Sequence, residues 1–201
     1  MLKATLRILA LAFGLGLALS ACSSVNPPTE QFPPLSFTNL PPYELNVGRI
    51  EVVSDFKSDG KYPHIEYDMP LSPEDALKRW VQARLHPVGR TGTLRVVIHD
   101  ASATEVALKT DHGFTGLFKK EQASRVQMTL NVSLQMLDDH QFVVAEVTGK
   151  SERDRTRPEG QTLNQRDQVL YAMVDDLLMG FNAQVDPNIG QIFTPWLGAA
   201  R

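Results

Sequence analysis

The longest regular pattern in the chain is a strict alternation over residues 125–137. Val126, Met128, Leu130, Val132, Leu134 and Met136 fall on one parity, and Gln127, Thr129, Asn131, Ser133 and Gln135 on the other. A period of two predicts a strand with one buried and one wet face, as in an antiparallel sheet. Leu94, Val96 and Ile98 alternate with Arg95 and His99 in an earlier strand that has room to run on to Val106. Residues 142–155 return as a third strand after a tight turn at Asp138-Asp139-His140. Ile50, Val52 and Val53 mark a short strand over 48–54. Two stretches change to the helical period. Ser72 caps the first at Pro73, with Asp75 at the third position, and Leu77, Trp80, Val81, Arg84 and Leu85 share one face before His86-Pro87 and Gly89 stop it. Thr162 and Gln165 form a capping box for the second, whose stripe is Leu170, Met173, Val174, Leu177, Leu178 and Phe181, with Asp186-Pro187 as its end.

The order is therefore β-α-β-β-β-α. Each helix has one apolar stripe and the sheet one apolar face, so the predicted fold is α+β: a two-layer sandwich of a four-stranded sheet with both helices on one face. The first strand-helix-strand step reads as a right-handed parallel crossover and the later strands as a meander. Trp80, on the first stripe, reads as a core anchor. Residues 23–43 hold Pro27-Pro28, Pro33-Pro34 and Pro41-Pro42, six of the chain's 13 prolines, which favours extended chain and excludes helix. Phe32, Leu35, Phe37 and Leu40 give this tether more apolar surface than a free linker carries, so its second half is expected to lie against the domain. Beyond residue 186, Ile189, Ile192, Phe193 and Trp196 among Gly and Pro leave two readings, docked irregular chain or disorder. The expected organisation is a removable leader at 1–21, a Pro-rich tether at 22–43, the domain at 44–186 and a tail at 187–201.

Composition changes the picture mainly at the amino terminus. Among 201 residues, 42% are hydrophobic and 21% charged, with a net charge of -3. That is ordinary globular composition, without the basic excess that non-specific nucleic-acid binding needs. Met1, Lys3 and Arg7 precede an uncharged apolar run from Ile8 to Leu19, about 12 residues, too short for an ordinary spanning helix and right for a secretory signal. The run ends in Leu19-Ser20-Ala21-Cys22, and Cys22 is the chain's single cysteine. These four residues resemble the lipobox of bacterial lipoproteins at every position. The resemblance implies a diacylglycerol on the Cys22 thiol, cleavage before Cys22 and acylation of the new amino terminus. An ordinary signal cut after Ala21 and an uncleaved anchor are the competing readings. Loss of residues 1–21 removes two cations and shifts the net charge from -3 to -5. Ser23 stands where the family rule would place Asp for retention at the inner membrane, so in a Gram-negative host the implied destination is the outer membrane. The Pro-rich tether and the element order are similar to those of the lipopolysaccharide-assembly lipoproteins and the auxiliary lipoproteins of ABC-type transport systems. No motif specific to either group is present, and only Cys22 takes a role from the resemblance.

Chemistry-bearing motifs are sparse. His64, His86, His99, His112 and His140 show no local metal-ligand spacing, and G-x-S-x-G, GxxxxGK[ST] and G-x-G-x-x-G are all absent. Asp138-Asp139-His140 is accounted for by a hairpin turn, and Asp175-Asp176 by the solvated face of a helix. Two features exceed this background. Arg153, Arg155 and Arg157 share one side of a strand, spaced to receive phosphate or carboxylate; the bland reading pairs them with Glu152, Asp154 and Glu159. Between two strands, Lys109, Lys119 and Lys120 surround Phe114, Leu117 and Phe118, with Gly113 and Gly116 loosening the backbone. Such a tip suits an anionic membrane surface or a protein groove, unless it folds back over the domain's own core.

The expectation is a non-enzymatic outer-membrane lipoprotein, its domain facing the periplasm, that binds an envelope protein as an accessory or scaffold subunit in transport or assembly. It is anchored through acyl chains on Cys22, with Phe114, Leu117, Phe118, Lys119 and Lys120 as partner or membrane contacts and Arg153, Arg155 and Arg157 as anion contacts. No cofactor, metal or nucleic acid is expected. An envelope hydrolase with a dispersed site and a lipid or lipopolysaccharide binder are the alternatives.

Overall fold

A computed structural model describes residues 32–108 and 122–198. The alternating segment forms the centre of the sheet. Strand β6 (Gln122–Leu137) pairs antiparallel along its whole length with β7 (Val143–Pro158). On its other side it meets two strands in succession. β4 (Thr93–Asp100) lies against residues 131–137 and β5 (Ala103–Ala107) against residues 124–128. β2 (Arg49–Ser54) completes the sheet by pairing parallel with β4. The even-numbered side of β6, from Val126 to Met136, is at most 1% exposed. On the odd side Gln127 is exposed, Thr129, Asn131 and Gln135 are half-buried, and Ser133 and the terminal Leu137 are buried.

The sheet thus has five strands where the pattern predicts four. The predicted strand from Leu94 toward Val106 is broken at Ala101 and Ser102. The register slips between Ile98 and Asp100, and the Asp100 carboxylate accepts the Ser102 N–H at 2.9 Å. A short polar side chain that captures a nearby backbone donor competes with the ladder, which ends β4 and restarts the chain as β5. A second sheet, of two parallel strands, pairs β1 (Tyr43–Leu45) with β3 (Leu85–Pro87). Three residues show no period, so nothing in the hydrophobic pattern announces it.

Both helices pack on the even side of β6. Helix α1 (Pro73–Arg84) is capped by Ser72, whose Oγ accepts the Asp75 N–H at 3.1 Å, and it buries Ala76, Leu77 and Trp80 completely. Helix α2 (Leu163–Ile192) carries the predicted capping box, with Thr162 and Gln165 bonding reciprocally. Trp80 meets Phe181 edge-on, ring centroids 5.1 Å apart. α2 approaches β7 closely at two glycines. A Cβ on Gly149 would stand 2.5 Å from Val185 Cγ1, and one on Gly180 would stand 2.6 Å from Ser151 Oγ.

α2 does not stop at Asp186-Pro187 but continues through the proline to Ile192. A proline inside a helix costs about 3 kcal/mol. Beyond it the stripe goes on, with Ile189 and Phe193 at 0% and 1% exposure. Burying two large apolar side chains returns roughly 1.5–3 kcal/mol each, so burial outweighs the broken hydrogen bond. After α2, a 3₁₀ turn (Thr194–Trp196) leads to Leu197, which bridges Leu45 on β1. At the other end, Leu35 and Phe37 belong to the core, Phe32 stacks on Tyr171 at 4.5 Å, and Ser36 donates its N–H and Oγ–H to Asp175. Asp175, read from sequence as solvated, is thus a clasp for the entering chain.

Candidate functional site

Odd-numbered residues of β7 lie on the helix side, because Val147, Gly149 and Ser151 are buried there. Arg153, Arg155 and Arg157 continue that row beyond the packed part of the sheet, opposite Met128, Val126 and Ser124. They do share a side, and two of them have internal partners. Arg153 donates to the backbone oxygens of Asp176 at 2.6 Å and Glu152 at 2.7 Å. Arg157 bonds the Glu105 carboxylate and, through Nε, Gln161 at 2.9 Å. Arg166 stands 3.9 Å from the same carboxylate. Arg155 is exposed and lines a shallow recess of about 400 Å³ with Gln161, Gln165 and Gln168. Asp154 pairs instead with Arg125, on the open face.

A larger cleft, of about 920 Å³, lies between α1 and the chain that joins it to β2. Phe56, Met69, Leu71 and Ala101 supply its apolar part, and Asp75, Lys78, Arg79 and Gln82 project from one face of α1 at helical spacing. Lys78 is tied to Glu74 at 3.0 Å and to Asp75 at 3.6 Å. Opposite charges thus neutralise one another along this wall, which leaves the cleft without a preference for one sign of ligand. At its floor Glu66 is buried and fully engaged. It accepts the Ala103 N–H at 2.7 Å and the Ser58 hydroxyl at 2.8 Å, and it meets His64 Nδ1 at 2.9 Å. Burial opposes ionisation of Glu66, but the Ala103 N–H, His64 and Ser58 outweigh it and hold the carboxyl below its ordinary range. The hydrogen bond to Glu66 in turn raises His64. Together with the Ile65 N–H to Ala103 and Glu105 N–H to Pro63 backbone bonds, this pair latches the β2–α1 connection to β5.

A buried cation went unrecognised in the sequence. Arg84 sits on the apolar stripe of α1 and is 2% exposed. Its guanidinium bonds the Asp186 carboxylate, reaches Asn182 Oδ1 at 3.3 Å and lies 4.9 Å from the centre of the Tyr43 ring. Trp80 Nε1 donates to the same Asn182 oxygen at 2.9 Å. An arginine and an asparagine placed on otherwise apolar stripes were the signal. The other residues singled out by sequence, Cys22, Phe114, Leu117, Phe118, Lys119 and Lys120, lie outside the described residues. What is described is the root of their loop. β5 ends at Ala107, Leu108 N–H bonds Ala123 O at 2.9 Å, and β6 resumes at Gln122.

Among the described residues no group of three or more His, Cys, Asp and Glu could hold a metal ion, and no helix is long and apolar enough to cross a membrane. No family model matches the chain, and no curated protein sequence does. Several solved structures align with it, two bacterial proteins among them. One is a minor lipoprotein from Acinetobacter baumannii, at 15% identity and a TM-score of 0.37 over 70% of this chain and 94% of that one. The other is a DUF330 protein from Xanthomonas campestris, at 14% identity and a TM-score of 0.28 over 74% and 98%. At these scores neither likeness assigns this chain a family or a role.

Proposed function

We propose that the protein is a lipid-anchored envelope protein of the outer membrane, facing the periplasm, which binds a protein partner as a non-catalytic accessory subunit of a transport or assembly system. The observation that carries this reading is where the chain following Cys22 joins the domain. Phe32 stacks on Tyr171 and Tyr171 OH donates to Pro33 O at 2.6 Å, in the N-terminal part of α2. The Lys109–Glu121 connection leaves the sheet near the same place, since Gln122 faces Pro158, four residues before the Thr162 cap of α2. Covalent geometry allows at most about 3.6 Å per residue, so residues 23–31 hold Phe32 within roughly 35 Å of an anchored Cys22. The described root of the tether at Phe32 and that of the basic, aromatic connection at Gln122 both lie beside the N-terminal part of α2, which supports a reading in which the connection meets the membrane surface and whatever is embedded there. Tethering raises the effective concentration of such a partner without new contacts.

The arginine row supports a lipopolysaccharide-binding role poorly, because Arg153 and Arg157 already have partners. Affinity purification of the tagged, lipidated protein from envelope extracts tests the proposal. A stoichiometric membrane-protein complex is the expected result; a protein recovered alone that turns over a panel of esters would replace it with a hydrolase.

A further inference from the structure

Strand edges with unpaired backbone groups are hazards that folded proteins cover. Two edges in this domain are covered and a third is covered at two positions. β1 is flanked by the C-terminal segment, through Asn46 N–H to Trp196 O at 2.7 Å and Gly198 N–H to Glu44 O at 2.9 Å. β5 is flanked by Pro63 and Ile65. On β7, Gln184 accepts the Lys150 N–H at 2.9 Å and Arg153 caps the Glu152 carbonyl at 2.7 Å. β2 differs. It pairs with β4 alone, and no group among the described residues covers its outer edge, although Val52 and Val53 are 40% and 42% exposed.

The register shows which groups are left over. Ser54 pairs with Ile98, and the Asp55 N–H donates to Ile98 O at 2.9 Å. By alternation, Arg49, Glu51 and Val53 direct their backbone groups toward β4, and Ile50, Val52 and Ser54 direct theirs outward. We propose that this edge is a self-association surface: β2 pairs antiparallel with β2 of a second copy about a two-fold axis at Val52, joining two sheets into one.

Self-complementarity selects this occupant and this register. With Val52 opposite its own copy, Ile50 faces Ser54 of the other chain, so all three outward residues pair. In the same arrangement Arg49, whose Nε already donates to Glu51 of its own strand at 2.7 Å, faces Asp55 of the other chain and Glu51 faces Val53, so each arginine gains a second acidic neighbour at the ends of the pairing. Centring on Ile50 would set Val52 against Gly48, whose N–H is already bonded to Thr91 O at 2.8 Å. Centring on Ser54 would set Val52 against Phe56, whose N–H is directed to Ile98 O at 3.3 Å. Only the Val52 register leaves no outward group stranded.

In this register Glu51 and Val53 of opposite copies form a non-hydrogen-bonded pair, with Cα atoms about 4.5 Å apart and within disulfide reach. The full chain is co-expressed in two differently tagged forms, one Glu51→Cys and one Val53→Cys, and oxidised in membranes. A mixed disulfide is expected from the co-expressed pair and not from either variant alone, and the parent protein should sediment in detergent at twice the monomer mass. Val52→Pro removes only an outward N–H, so it should halve that mass with little change in melting temperature. A monomeric parent, absence of the mixed link, a link formed as readily by one variant alone, or a link to a protein of different mass would overturn the proposal. If Val52→Pro melts far below the parent, the cysteine pair still decides.

Discussion

At the residue scale the decisive feature is Arg84, a charge where the helical stripe expects an apolar side chain. Its Nη1 has no hydrogen-bond partner among the described residues, so Asp186, Asn182 and the Tyr43 face carry the whole compensation. Removing one member of a fully buried pair costs about 3–5 kcal/mol, but the Asp186 side chain is 42% exposed and water shares its role. Asp186→Ala is therefore expected to cost about 2–3 kcal/mol in urea denaturation. Arg84→Met, which keeps the packed stem and removes the charge, should cost less. The reverse order would show that the guanidinium's contacts with Asn182 and the Tyr43 ring, rather than its pairing with Asp186, are what the site needs. His64 and Glu66 give a pH signature. His64 is raised, so its contribution is complete below its ordinary value of 6.5 and is lost as pH rises through the folded value. Glu66 is lowered, so its contribution is complete above its ordinary value of 4.5 and is lost as pH falls through the folded one. Both are present between those values. The melting-temperature advantage of the parent over His64→Gln should be largest near pH 5–6 and shrink toward pH 8; a flat difference would mean that the latch is not ionic.

At the scale of elements, the layer spacing depends on the small residues between α2 and β7. An alanine in place of a glycine usually stabilises by about 0.4–1 kcal/mol where the backbone permits. At Gly149 the sign should invert, because the new methyl would meet Val185 and Phe181, both fully buried and unable to retreat. Gly149→Ala is expected to cost about 1–3 kcal/mol, read as a lower denaturation midpoint with unchanged slope. The elements themselves were legible to different degrees. The capping box at Thr162 and the alternation of β6 are local patterns repeated often enough to be read directly. β1 and β3 are three residues each and pair across about 40 positions of chain because each carries a buried leucine, Leu45 opposite Pro87 and Leu85 opposite Tyr43. The passage of α2 through Pro187 is a contest that a local rule loses to Ile189 and Phe193, whose burial cannot be seen from the residues next to the proline.

For the whole molecule, attachment and contact can be separated by substitution. If the proposed lipoprotein reading holds, Cys22→Ala should release the protein from membranes and abolish metabolic acyl labelling, because on that reading the Cys22 sulfur carries the main hydrophobic attachment. A variant still labelled and still sedimenting would sink the lipoprotein reading. Phe114→Ser with Phe118→Ser should leave the melting temperature near that of the parent and reduce recovery of the membrane partner. A large drop in melting temperature would assign those rings to the core instead.

What the sequence determined by itself was whatever a short window can hold: the alternating strands, the two caps and the apolar stripes. These depend on each residue and its near neighbours, through the pleat and the helical turn. Only the tertiary structure decided that Arg84 reaches Asp186 across 102 positions and that the arginine row meets Glu105 and the carbonyls of β7 and α2. It also decided which strand edges are covered. Those outcomes come from segments far apart in the chain competing for the same buried surface and the same backbone donors, and the winner depends on the spatial neighbours rather than on any local spacing.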